Sequence, residues 1–283
     1  MRDLDTIPAS PPASLRWKPR LSLWRSVAEI WGHRELLATL VEREFRVRYK
    51  QAFLGFAWSL AQPLALVGAF ALFRRGAGVE ESGVSSVLFS LLGLLPWTFF
   101  SSALSQGGLS LFNNMSLLNK VYCPREVFPL SSIGVAGVDT AIGGLLALAV
   151  FAMTQTAPKA QSVWVPLLLV IAIAFTAAVT LIISAVVVHL RDIRHVLPVV
   201  LPAGLFLNPI AVPLGRLIPN QWQVLYSVCN PLGPVMEDMR RTVLFGLPPN
   251  WHLLGPAAAS SFVLLGVGVL VFRRLEVSFA DLI

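Results

Sequence analysis

EREFRVRYKQAFLGFAWSLAQP, Glu42 to Pro63, is the stretch that decides the fold class of this chain. Arg43, Arg46, Arg48 and Lys50 crowd its first half, and from Phe53 to Phe73 the chain then runs 21 residues without a formal charge. At about 1.5 Å of rise per residue, a helix of that length covers roughly 30 Å, the hydrocarbon thickness of a bilayer. The stretch reads as a basic collar at a membrane surface followed by a first membrane-crossing helix.

The whole chain agrees. Its 283 residues are 55% hydrophobic and only 13% charged, with a mean hydropathy of +0.71, values outside the range of an ordinary soluble domain. An all-α membrane protein is expected. Apolar runs predict six spans, at about 53–73, 84–104, 130–153, 163–189, 196–212 and 251–272. No cleavable secretory signal is expected ahead of them, because the first 52 residues hold ten Lys/Arg and no uninterrupted apolar core. The basic balance, with a pI near 10.1, points to orientation and anionic lipid rather than to nucleic acid. With the N-terminus inside, sixteen basic residues fall on the cytoplasmic side and six outside. That asymmetry places both termini in the cytoplasm. Arg74 and Arg75 run against it, with Glu80 and Glu81 as a local offset, and Trp164 and Trp251 are expected at the outer water boundary.

Before the first span, Trp24, Val27, Ala28 and Trp31 follow the i, i+3, i+4, i+7 spacing, and Leu37, Leu40, Val41 and Phe45 continue it. Residues 23–50 therefore read as an amphipathic helix lying on the cytoplasmic surface, either a plain anchor or a lever at a cytoplasmic gate. Residues 1–22 read as a disordered tail.

Polar residues interrupt the apolar pattern at four places. In LLNKVYCPREVFPLS, Leu117 to Ser131, the residues Asn119, Lys120, Arg125 and Glu126 are expected to project into the cytoplasm, as a docking surface rather than a merely solvated loop. A second inner loop, HLRDIRH, His189 to His195, is tight, and the six-residue spacing of its two histidines matches no zinc site, so no metal is expected. Residues 213–250 hold apolar pieces of about ten residues, too short to span but long enough to dip in and return as a re-entrant segment. Irregular backbone at that depth needs protein or a watery cavity around it; Glu237, Asp238, Arg240 and Arg241 either line such a path or pair on a helix. Asp139, in VAGVDTAIGG, is the one formal charge in the middle of a predicted span. It should face the bundle interior, as a structural hydrogen-bonding group or as part of a pathway.

No lysine follows a glycine, so the chain has no GxxxxGK[ST] phosphate loop, and HExxH, GxSxG and CxxC are absent as well. Catalysis and ATP binding are not expected in this chain. Cys123 and Cys229 fall on opposite faces of the predicted topology, which argues against a disulfide between them.

Taken together, RVRYKQAFLGFAWSLAQP (Arg46 to Pro63), LGLLPWTFFSSAL (Leu92 to Leu104), LLNKVYCPREVFPLS, RDIRHV (Arg191 to Val196), NPLGPVMEDMRRTVLFG (Asn230 to Gly246) and FRRLEVSFADLI (Phe272 to Ile283) resemble the ABC-2-type permeases of bacterial polysaccharide exporters, which move O-antigen, teichoic acid or capsule. The resemblance implies a homodimer in the bacterial inner membrane, joined to two separate ATPase subunits that carry ATP and Mg. It implies that Asn119, Lys120, Arg125 and Glu126 seat on the ATPase, with Arg191, Asp192 and Arg194 as a second contact. It also implies that residues 23–50 are a gate helix, and that Arg43, Arg46, Arg48 and Lys50 attract the diphosphate of a polyprenyl-linked glycan. The phenylalanines and tryptophans of the spans either stack on sugar or only pack. Two other readings share much of this pattern: an ABC-2 exporter of a lipid, drug or haem, and an ATP-independent scramblase or secondary transporter.

Overall fold

The computed structural model describes residues 31–49, 57–78, 85–114 and 124–277, and all regular elements among them are helical. In chain order they are α1 (Arg34–Tyr49), α2 (Ala57–Gly76), α3 (Ser86–Gly107), the single turn α4 (Ser110–Asn113), α5 (Val127–Met153), α6 (Val165–His189), α7 (Ile193–Phe206), the single turn α8 (Leu214–Leu217), α9 (Gln223–Cys229), α10 (Leu232–Val243) and α11 (Trp251–Glu276). A 3-10 turn at Ala160–Trp164 leads into α6. Four of these helices are long and apolar enough to cross a membrane: α3, α5, α6 with its leading turn, and α11.

From Ser86 to Phe100 the α3 helix is mostly apolar and almost wholly buried. It packs against α2, α5, α6 and α10, and Leu88, Leu91 and Leu94 join Ile171, Val235 and Met236 in one buried cluster. A stretch of helix surrounded by others needs no polar stripe. The α6 and α11 helices run along each other, and Gly268 lets their backbones meet: a Cβ there would lie 2.9 Å from the Ala178 carbonyl oxygen. Outward faces stay apolar, with Leu145, Leu148 and Met153 on α5 and Phe262 and Val263 on α11 exposed, as a hydrocarbon surrounding requires.

The two ends of the bundle differ. At one end Trp164 meets Trp251 edge-on at 5.1 Å, and the Lys159 amide donates to the Val243 carbonyl at 3.0 Å. At the other, the start of α5 meets the finish of α11 through Arg273 Nε and Glu126 Oε1, 3.1 Å apart. The predicted interfacial tryptophans thus share one end, opposite the basic loops.

Two boundaries differ from expectation. The predicted fifth span, 196–212, is instead the 14-residue α7, which starts at Ile193 and stops at Phe206. At roughly 21 Å it is shorter than a hydrocarbon core. Asn208 and Pro209 end it: proline disfavours helical geometry in the residue before it, and the Asn208 side-chain amide donates back to the Gly204 carbonyl at 2.8 Å. The first span does not stop at Phe73 but stays helical to Gly76, which makes Arg74 a packed helix residue rather than a loop charge. Arg74 is 1% exposed. Glu80, Glu81, the tail 1–22, Lys50, Asn119, Lys120 and Cys123 lie outside the described residues.

Arg74 is buried because it has a mate. Its guanidinium lies 3.6 Å from the centre of the Phe89 ring, and that of Arg240 lies 4.1 Å from the same ring. Both are cation–π distances. Arg74 Nη1 donates to the Ala211 carbonyl at 2.6 Å; Arg240 donates to the carbonyls of Met236, Ile210 and Pro209 and to Glu237 Oε2. The two arginines thereby satisfy the irregular backbone between α7 and α8, whose carbonyls have no helical donors.

Candidate functional site

A cavity of about 710 Å³ opens between α2, α3, α5 and α7. Along α3 its lining runs from Leu91 to Gln106, about 22 Å of helix. The wall changes character on the way. Leu91, Leu94 and Leu95 give way to Thr98, Ser101, Ser102, Ser105 and Gln106, a spacing that puts all five polar side chains on one helix face. Thr98 and Ser101 donate to the carbonyls of Leu95 and Thr98 in their own helix, at 3.0 and 3.3 Å. Their oxygen lone pairs remain available to the cavity. Opposite this face stand Thr140 of α5 and the prolines Pro198 and Pro202 of α7, which cannot donate to the carbonyls of Arg194 and Pro198 one turn back. Hydroxyls and uncommitted carbonyls make this a wall that water or a polyol can wet, inside an otherwise apolar bundle.

The polar end is closed by charge. Arg48, near the finish of α1, donates through Nη1 to Asp139 Oδ2 of α5 and through Nη2 to Gln106 Oε1 of α3. Gln106 in turn donates to Ser102 Oγ at 3.3 Å. Asp139 thus faces the bundle interior as its position demanded, and its partner is one of the four predicted diphosphate attractors. The other three behave differently. Arg43 is exposed, Arg46 is exposed and paired with Glu42 one turn earlier, and Lys50 is outside the described residues.

A second polar contact fastens α1 to α5. Ser131 and Ser132 donate their hydroxyls to Oε1 and Oε2 of Glu44 at 2.8 and 3.4 Å. Burial raises the Glu44 carboxyl above its ordinary range, opposed by the two serines and by Arg48 and Arg43. Sequence reading missed Glu44, Gln106 and the hydroxyl face. The signal was present, since Val41, Glu44 and Arg48 share one face of α1 and TFFSSALSQ repeats its hydroxyls at i, i+3, i+4 and i+7.

The predicted docking surface is corrected in part. Glu126 does not project: it is 2% exposed and bound by Arg273. Arg125 Nη1 donates to the Glu276 carbonyl at 3.0 Å, and its Nε lies 3.9 Å from the Glu276 carboxylate. Both turn inward because the end of α11 brings opposite charges against the start of α5. Arg191, Asp192 and Arg194 do face outward, with Arg194 5.6 Å from the Phe112 ring.

Glu237, Asp238, Arg240 and Arg241 are not among the residues that line this cavity, and each is engaged within its own segment. Glu237 and Arg240 form an i, i+3 ion pair at 3.1 Å, Glu237 Oε2 also accepts the Leu214 amide at 3.2 Å, and Arg241 Nε donates to the Pro248 carbonyl at 2.7 Å. Asp238 Oδ1 accepts the Asn250 amide at 2.9 Å. Its carboxyl is pushed up to about 6 by burial, against the Asn250 hydrogen bond and the Arg241 charge. These four residues hold the 207–250 segment together. Of the aromatic residues, Trp97 lines the cavity, while Phe100 stacks between Trp97 and Phe175, each 5.6 Å away. Packing therefore claims Phe100 and Phe175.

Residues 35–244 match the family described as ABC-2 type transporter. The chain is 30% identical, over 91% of its own length and 98% of the relative's, to the O-antigen export system permease protein RfbA of Myxococcus xanthus. It is 27% identical to a Klebsiella pneumoniae protein of the same name, over 88% of this chain and 95% of that one. It is 26% identical to the polysialic acid transport protein KpsM of Escherichia coli, over 83% and 91%.

Proposed function

The chain belongs to the ABC-2 type transporter family, and from that premise we propose that it is the membrane permease of an ATP-driven exporter that carries a polyprenyl-diphosphate-linked polysaccharide across the bacterial inner membrane. The observation that carries the reading is the hydroxyl and amide face of α3 along the cavity. A glycan offers many hydroxyls and little apolar surface, so a passage for it needs exchangeable hydrogen-bond partners rather than a greasy wall. The names of the relatives, for O-antigen export and polysialic acid transport, give the same substrate class.

In this reading α2, α3, α5, α6 and α11 cross the membrane and the shorter α7 enters it as the sixth membrane helix, with both termini in the cytoplasm. The short helices α9 and α10 are the re-entrant pair, and α1 is the gate helix. Two copies of the chain join two ATPase subunits that bind ATP and Mg. Arg191, Asp192 and Arg194, which face outward, are one seat for the ATPase, and Asn119 and Lys120 are the other. Arg43, Arg46, Arg48 and Lys50 draw the diphosphate to the inner surface. ATP-driven closure of the partner subunits biases the permease by bearing unequally on its inward and outward states.

The test is mass spectrometry of the complex purified in mild detergent from its native host. A stoichiometric Walker-motif ATPase together with a polyprenyl-linked glycan is the expected result. A dimer that survives purification with neither partner would overturn the proposal in favour of ATP-independent transport.

A further inference from the structure

The α1 helix meets α5 along one face. Val41 lies over Gly134, where a Cβ would come within 2.7 Å of the valine Cγ2; Glu44 takes the hydroxyls of Ser131 and Ser132; Arg48 takes Asp139. Leu40 is buried with Leu111, Val127 and Phe128, so the first half of α1 is held by apolar packing, while the second half carries the polar contacts of Glu44 and Arg48. Polar contacts can be exchanged. Apolar burial only scales with area.

Arg48 is the exchangeable member. Its guanidinium is a fork with both terminal nitrogens committed, one to a carboxylate and one to an amide oxygen, at the polar mouth of the cavity. Moving α1 off α5 without a substitute would break the ion pair between the half-buried Arg48 and Asp139, which is costly within a membrane protein. A phosphate group supplies two oxygens at the spacing that a carboxylate offers, and it carries more charge. Asp139 then keeps Thr140 and the wetted cavity beside it, where a carboxylate can be hydrated.

We propose that Arg48 is a two-position anion switch: Asp139 is its resident partner when α1 is docked, and a diphosphate entering the cavity mouth takes its place and releases the second half of α1 from α5. The proposal rests on the reading of the chain as an exporter of a diphosphate-linked glycan, and it adds that the cargo head-group itself opens the gate. Substrate binding and gate position are then linked, and each must shift the other by the same factor.

The experiment uses the full permease–ATPase complex in nanodiscs of neutral lipid. Cys123 and Cys229 are changed to Ser, and a single reporter, Ser131→Cys, is placed under Glu44. The readout is its labelling rate by a charged thiol reagent. Farnesyl diphosphate should speed labelling about tenfold, within the usual range of such couplings, while farnesol should leave it unchanged. With Asp139→Asn the reporter should label fast without ligand, and half-saturating farnesyl diphosphate should fall about tenfold because the resident anion is gone. With Arg48→Gln it should label fast and ignore the ligand, and Asp139→Glu should restore the slow rate.

Acceleration by inorganic pyrophosphate as well would assign the switch to the head-group alone; acceleration only by the prenylated form would assign it to the lipid-linked cargo. Either supports the proposal. Acceleration by phosphatidylglycerol in the disc with no response to either diphosphate would overturn it, as would unchanged labelling at saturating farnesyl diphosphate or unchanged affinity in Asp139→Asn. Glycan export that continues while labelling stays fixed removes the switch and leaves the exporter reading intact.

Discussion

Asp238 and Arg240 lie two residues apart on α10, both 1% exposed, and their burial has opposite consequences. Arg240 is fully engaged, so Arg240→Ala removes a donor from three carbonyls and leaves Glu237 with the Leu214 amide alone; a loss of about 3 kcal/mol in unfolding free energy is expected, in line with breaking a buried charged network. Arg240→Lys should recover only part of it, since an ammonium cannot both stack on Phe89 and fork between carbonyls. Urea unfolding in detergent would measure both. For Asp238, burial raises the carboxyl to about 6. The folded state therefore holds its proton more tightly than the unfolded state, whose pKa is about 3.9. Stability is greatest below the unfolded value, falls as pH rises from about 4 to 6, and is level above that. Asp238→Asn keeps an acceptor for the Asn250 amide and should remove this fall. Thermal unfolding of the two proteins between pH 4 and 8 checks the slope, and a wild-type curve that rises across the window would contradict it.

At the level of elements, the close approach of α11 to α6 is one that sequence reading could not find. Gly268 is one of several glycines in the apolar α11, and nothing in its neighbourhood distinguishes it until α6 is placed beside it. The atom that a side chain would meet is a backbone carbonyl, which cannot swing away. Gly268→Val should therefore cost about 2 kcal/mol by overpacking and lower the melting temperature, while the same change at Gly255, with open space around it, should cost only its local propensity. The α7 boundary teaches the complementary lesson. Hydropathy carried the predicted span on to Val212, but the Asn208–Pro209 stop was readable in the chain and ends the helix at Phe206.

Across the whole molecule, the hydroxyl face of α3 runs beside the cavity of about 710 Å³, and its replacement tests what that space is for. Changing Ser101, Ser102 and Ser105 together to Ala preserves volume closely, so folding and ATPase assembly should survive while surface polysaccharide falls severalfold; immunoblotting of cell-surface glycan against permease abundance separates the two. Equal glycan per permease would refute a contact role for that face. Membrane residence, the apolar runs, the lack of a phosphate loop and an inward-facing Asp139 were legible in the sequence, because each follows from composition or from the cost of putting a bare charge in hydrocarbon. The partners were not. That Arg48 reaches Asp139 and Gln106 across 91 and 58 residues, that Glu126 turns inward to Arg273, and that Arg74 and Arg240 share one phenylalanine all depend on which helices lie side by side. Periodicity fixes the face on which a residue sits, but long-range packing alone decides what that face meets.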